Sequence, residues 1–92
     1  MALLIDTPAW PWRGRKWSHL VSDVSYEELH AFVAAELGIP RRAFQGDHYD
    51  VPEELYDVAL AAGAVAVPAR ELLSRLTAAG LRRKKPRAAG AR

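Results

Sequence analysis

Between Tyr26 and Leu37 the apolar residues Tyr26, Leu29, Phe32, Val33 and Leu37 recur at helical spacing and fall in one stripe. Ser25 followed by Glu28 forms a capping box in front of that stripe, and Gly38 stands where a left-handed terminating residue belongs. This is the strongest helix signal in the chain. His30 lies at the edge of the stripe, roughly 80° from its centre. A second helix is predicted over "VPEELYDVALAAG", opened by Pro52 and closed by Gly63. A third follows in "ARELLSRLTAAG", with Leu72, Leu73 and Leu76 inward and Gly80 at its end.

Between these helices the pattern changes to short apolar runs. "LLID" (Leu3–Asp6), stopped by Thr7 and Pro8, reads as a buried strand. "WSHLVS" (Trp17–Ser22) reads as a second strand, with Trp17, His19 and Val21 on one face and Ser18, Leu20 and Ser22 on the other. "IPRRAFQ" is a third candidate strand, and "AVAVP" (Ala64–Pro68) a short buried one. "PAWPWRGRKW" (Pro8–Trp17), with two prolines, a glycine, three tryptophans and three cations, is expected to be a structured loop. Strands alternating with helices predict an α/β fold: a small single-domain sandwich, with a short mixed sheet of three or four strands and about three helices.

The chain has 92 residues, half of them apolar and 26% charged, ordinary values for one small globular domain. No run approaches the ~20 apolar residues that a membrane-crossing helix needs, and "MALLIDTP" lacks the features of a secretion signal. The chain has no cysteine, which excludes disulfides, thiolate metal sites and a cysteine nucleophile; a cytoplasmic location is the expectation. The net charge of +2 divides unevenly. Residues 1–80 hold seven Lys/Arg against eleven Asp/Glu, a net of −4, whereas residues 81–92 hold six cations and no acid. The domain is therefore assigned to residues 1–80, and 81–92 to a basic, disordered tail that would attract polyanions without reading sequence.

Candidate chemistry concentrates in "FQGDHYDVP" (Phe44–Pro52), where Asp47, His48, Tyr49 and Asp50 stand side by side. Two readings compete there. Asp50 as N-cap, with Glu53 completing a capping box, would be structural. Pro52 at the first helical position would instead make Val51 the cap and leave Asp50 free, pointing to the same side as His48. A carboxylate on the same side as an imidazole orients it and raises its basicity, for proton transfer or for metal binding. His19, His30 and Asp6 are further candidates, and three histidines from three segments, completed by Asp6 or Asp50, would suit a divalent metal. No HExxH spacing and no glycine-rich phosphate loop is present. Arg13, Arg15 and Lys16 in the tryptophan-rich segment, with Arg41 and Arg42, supply groups able to hold phosphate, and a tryptophan can stack on a base.

The stretches "WPWRGRKWSHLVSD", "SYEELHAFVAAELGIPRRAFQ" and "HYDVPEELYDVALAAGAVAV" resemble a family of small bacterial and phage domains, domain of unknown function 4031. The resemblance spans roughly residues 2–80. Its recurring features fall on Asp6, on His19 with Asp23, on Glu28 with His30, and on His48 to Asp50. It implies a shared polar site, and a partner hydrolase domain of the HD phosphohydrolase type would imply nucleotide or nucleic-acid metabolism.

Two functions are expected from these features. In the first, His48, Asp50, His19 and His30 form a catalytic cleft in which Arg13, Arg15, Arg41, Arg42 and Tyr49 bind a phosphate-containing ligand, a nucleotide or nucleic acid. In the second, a non-catalytic binding module uses the tryptophan-rich segment as its contact surface and the basic tail as an anchor. A homodimer that shields a sheet edge is a further expectation.

Overall fold

The computed structural model describes residues 2–83 of the chain. From residue 84 onward, the basic tail and the disorder expected for it lie outside the described residues.

The architecture is α/β, with an open mixed sheet of five strands and helices on both faces. The strands are β1 (Leu3–Ile5), β2 (Trp10–Trp12), β3 (Arg15–Ser22), β4 (Tyr49–Pro52) and β5 (Val65–Ala66). The helices are α1 (Tyr26–Phe32), continued by a π-helical turn over Val33–Leu37, then α2 (Tyr56–Ala61) and α3 (Ala69–Ala78). β3 is the centre: β4 pairs antiparallel along one edge, while β2 and β1 pair antiparallel in tandem along the other. β5 then lies parallel to β1.

The segment expected as a loop is instead a hairpin. Arg13 (φ 54°) and Gly14 (φ 75°) both occupy the left-handed region, the pattern of a two-residue type I′ turn. Trp10 pairs with Trp17 and Trp12 with Arg15 across it. Pro8, which has no N–H, breaks the outer strand into β1 and β2. The ladder continues around the break, since the Asp6 N–H donates to the His19 carbonyl and the Ala9 N–H to the Trp17 carbonyl, each at 3.2 Å.

"IPRRAFQ" forms no strand; Arg41–Ala43 is a single 3₁₀ turn. The extra strand is β4, which ends at Pro52. A 3₁₀ turn over Glu53–Leu55 separates it from α2, so neither Asp50 nor Val51 caps that helix. At α1 only half of the capping box forms. The Ser25 hydroxyl accepts the Glu28 N–H at 3.0 Å, but the Ser25 N–H turns to the Ser22 hydroxyl, which itself donates to the Glu28 carboxylate.

Each face of the sheet buries its own cluster. Ile5, Leu20, Tyr49 and Val51 pack against Leu29, Val33, Leu37 and Ala59 of the α1–α2 layer. On the opposite face Leu4 and Val21 meet Leu72 and Leu76 of α3. Leu73, expected inward, is 45% exposed, and Val65 of β5, the edge strand among the described residues, is exposed rather than buried. α3 therefore covers only the β1 end of its face. The rest of that face carries Asp6, His19, Asp50 and the tryptophans. No helix among the described residues is long and apolar enough to cross a membrane.

Candidate functional site

His19 sits on β3 with its side chain on the α3 face, the same side as Val21, as strand alternation requires. Asp6, 5% exposed at the end of β1, holds it twice: Oδ1 accepts the His19 backbone N–H at 2.6 Å, and Oδ2 accepts Nδ1 of the ring at 2.8 Å. His48 precedes β4, and its Nδ1 lies 2.7 Å from Oδ1 of Asp47, a carboxylate only 2% exposed. A carboxylate can only accept, so each Nδ1 carries its proton; that leaves Nε2 of His19 for other work, while Nε2 of His48 has a third carboxylate beside it.

Asp50 stands directly opposite His19 in the β3–β4 register, with Oδ1 3.3 Å from Nε2 of His48. The His19 and His48 rings are 5.2 Å apart between centroids. Ligand atoms from His19, His48 and Asp50 all lie within 4.8 Å of one another. His48 is thus flanked by acid on both ring nitrogens. Burial lowers its pKa, but the hydrogen bonds and charges of Asp50 and Asp47 outweigh burial and raise it above the ordinary histidine value. Burial acts to raise the Asp47 pKa, yet His48, the Arg83 N–H and Arg82 hold it below the usual carboxylate range.

The histidine pair divides two clefts. One, of about 330 Å³, lies on the α3 side and is lined by Asp6, Asp47, Arg82 and the α3 leucines. The other, of about 390 Å³, is lined by Asp50, Gln45, Trp10 and Trp12, with both histidines in its wall. Asp6 and Asp47, which hold the Nδ1 atoms, line the first; Asp50, beside the His48 Nε2, lines the second.

The family model described as protein of unknown function (DUF4031) matches residues 3–79. The chain belongs to this family. No curated protein and no solved structure matches it significantly. The matched span of this DUF4031 domain contains all five acidic and imidazole groups of the site, but not Arg82.

Other residues singled out from the sequence lie elsewhere. His30 does not join His19 and His48: α1 packs on the opposite face of the sheet, where the His30 Nδ1 shares a 2.7 Å hydrogen bond with the Tyr49 hydroxyl and the ring meets Phe44 edge-on. Burial, with Arg41 nearby, lowers the His30 pKa. Tyr49 is 1% exposed and its pKa is raised by burial, so it is a core group rather than a ligand contact. Arg41 and Arg42 lie on the exposed 3₁₀ turn, with Arg41 on the His30–Tyr49 side. Arg15 pairs with Glu54 at 2.6 Å, and the Arg13 guanidinium sits 4.6 Å from the centre of the Trp12 ring.

The cation at the cleft is Arg82, which the sequence reading placed in the tail. Its Nη1 donates to Asp47 Oδ2 at 3.0 Å, beside the Arg83 N–H at 2.8 Å. The signal was local. Gly80 (φ 76°) closes α3, the Leu81 N–H returns to the Leu76 carbonyl, and the Leu81 side chain packs back on the α3 cluster.

Proposed function

We propose that the domain holds a divalent transition metal between His19, His48 and Asp50 and uses a metal-bound water to hydrolyse a phosphate-containing ligand. The observation that carries this reading is the pair of imidazoles whose Nδ1 atoms are both held by buried carboxylates beside a third carboxylate. Metal-binding histidines characteristically donate their second nitrogen to an acid, which fixes the tautomer and raises ligand basicity. Two nitrogens and one oxygen suit zinc or another first-row ion better than magnesium or calcium, and three protein ligands leave a position for water. Ligand atoms around a tetrahedral ion lie about 3.4 Å apart. The 3.3 Å between His48 Nε2 and Asp50 Oδ1 already meets that spacing.

Such an ion, held by His19, His48 and Asp50, would lower the pKa of a bound water to about 7 and polarise a phosphoryl oxygen. With one anionic ligand, the ion and its three ligands would sum to +1, while Asp6 and Asp47 behind the histidines and Arg82 beside Asp47 bring the whole cluster close to neutral. Zinc and manganese titrations of the metal-free chain by calorimetry test the centre, followed by turnover of p-nitrophenyl phosphate and its bis ester. Micromolar or tighter binding, weakened at least about 100-fold in His48→Ala and in Asp50→Ala, supports the reading. Metal uptake unchanged in these variants, or none in the parent, ends it.

The exposure of Trp10 (41%) and Trp12 (48%) favours a second reading, a binding module that acts without turnover. Ligand binding through the tryptophans with no hydrolysis under any metal would select it.

A further inference from the structure

The cleft on the Nε2 side has a wall that metal chemistry does not need. Trp10 and Trp12 belong to one face of β2, with ring centroids 6.0 Å apart and planes inclined at 68°. Trp10 also meets His19 at 6.3 Å and 75°. The rings form an aromatic corner that runs into the candidate metal ligands without a break. Large aromatic side chains ordinarily bury themselves, and hairpin rings left this open beside a polar cleft point to a flat partner.

We infer that Trp10 and Trp12 form a stacking shelf for the nucleobase of a phosphate-bearing substrate, a nucleotide or the end of a single strand. This rests on the metal reading for the position of the phosphate. Three features select a base over an aliphatic chain or a neutral sugar. The two indoles meet at 68° in the wall of the cleft, and an aromatic corner of this kind suits a planar ring. Gln45 lines the same cleft, and a side-chain amide can both donate to and accept from a base edge. The Arg13 guanidinium, 4.6 Å from the centre of the Trp12 ring, supplies positive charge beside the shelf for an anionic ligand. A cleft of about 390 Å³ is also within the range of small-ligand sites.

The test titrates the zinc-loaded chain with adenosine 5′-monophosphate, ribose 5-phosphate, inorganic phosphate and an oligodeoxyadenylate, by calorimetry and by quenching of tryptophan fluorescence. Adenosine is added to the metal-free chain in parallel. A stacked base improves affinity by about ten-fold or more. The nucleotide should therefore bind at least ten-fold tighter than ribose 5-phosphate. That advantage should vanish in the Trp10→Ala/Trp12→Ala double variant and persist in part in Trp12→Phe, with zinc and inorganic phosphate binding unchanged. An oligonucleotide that binds tighter than the mononucleotide identifies a strand end; equal affinity identifies a free nucleotide, and both uphold the shelf. Equal affinity for the nucleotide and ribose 5-phosphate in a chain that holds zinc overturns the shelf and leaves the metal reading standing. Adenosine quenching that depends on the two tryptophans, in a chain that takes up no zinc, upholds the shelf and removes the metal. A neutral sugar that binds as well as adenosine also overturns the inference.

Discussion

Asp47 is the residue on which the site and the end of the described chain both depend, and its removal gives the sharpest measurement. Its two oxygens accept from His48 Nδ1, Arg82 Nη1 and the Arg83 N–H, at 2.7, 3.0 and 2.8 Å. Hydrogen bonds to charged partners contribute about 1.5–3 kcal/mol each. Arg82 is 36% exposed in its side chain, so solvent screens that pair and it counts for little. The His48 bond and the Arg83 N–H bond remain; because they share one carboxylate their contributions do not add in full, and together they set a loss of about 2–4 kcal/mol for Asp47→Ala. Asp47→Asn keeps the shape and one acceptor, and should lose about 1–2 kcal/mol. A chain of 92 residues has roughly 5–14 kcal/mol of stability in total, so the alanine variant stays folded but its urea midpoint falls visibly.

The same substitutions should weaken zinc binding by about 10–100-fold, because they release the imidazole rather than delete it. Urea melts at pH 7 measure the first effect, and zinc competition against a chromogenic chelator measures the second. A double-mutant cycle with Arg82→Ala separates the arginine contribution, which should be under about 1 kcal/mol. An Asp47→Asn protein with parental midpoint and parental zinc affinity would refute the whole account of His48 as a positioned ligand.

Three further outcomes follow from other parts of the fold. Burial acts to raise the Asp23 pKa, but the Ala2 N–H and Arg75 outweigh it and hold it below the ordinary 3.8. A depressed carboxylate pKa stabilises the fold above the unfolded value, and that stabilisation is lost as pH falls through the folded one. The stability gap between the parent and Asp23→Asn should therefore be constant near neutrality and close below about pH 4 in thermal melts. The Ser18 hydroxyl is buried with no hydrogen-bond partner among the described residues, so Ser18→Ala should raise stability by about 1 kcal/mol in urea; a loss would show an acceptor there. Leu76→Ala should lose about 2–4 kcal/mol, whereas Leu73→Ala, on the exposed side of α3, should change stability by less than about 0.5 kcal/mol.

Much of the local structure was legible because it depends on neighbours in sequence. The stripe through Leu29, Val33 and Leu37 is the buried face of α1 and its π turn, and Ser25 does cap the helix. The i, i+2 rule that sets His48 and Asp50 on one side reappears as their 3.3 Å contact. The hairpin was missed because two prolines and three tryptophans outweighed the better signal, the Arg13–Gly14 pair between aromatic strands. β4 was missed for a related reason. Pro52 reads as the opening of a helix, although the bias of Val51 toward extended angles favours a strand that ends there.

What no local pattern contains is which face of the sheet each helix takes. His19, His30 and His48 look equivalent in sequence, yet α1 carries His30 to one face while β3 and the turn before β4 deliver His19 and His48 to the other. That partition creates the cleft. α3 buries Leu72 and Leu76 over Leu4 and Val21 and covers the face no further, so the next residues along β1 and β3, Asp6 and His19, stand at its margin. A longer apolar helix would bury the two imidazole–carboxylate pairs at a desolvation cost of several kcal/mol per charge. The short helix leaves them at a boundary. Their acids are nearly dry, at 5% and 2% exposure, while the His19 side chain remains 36% exposed toward Asp50 and the tryptophans. Dry acids fix the rings and the outer edge stays open to solvent, so the coverage of α3 is itself a determinant of the candidate site.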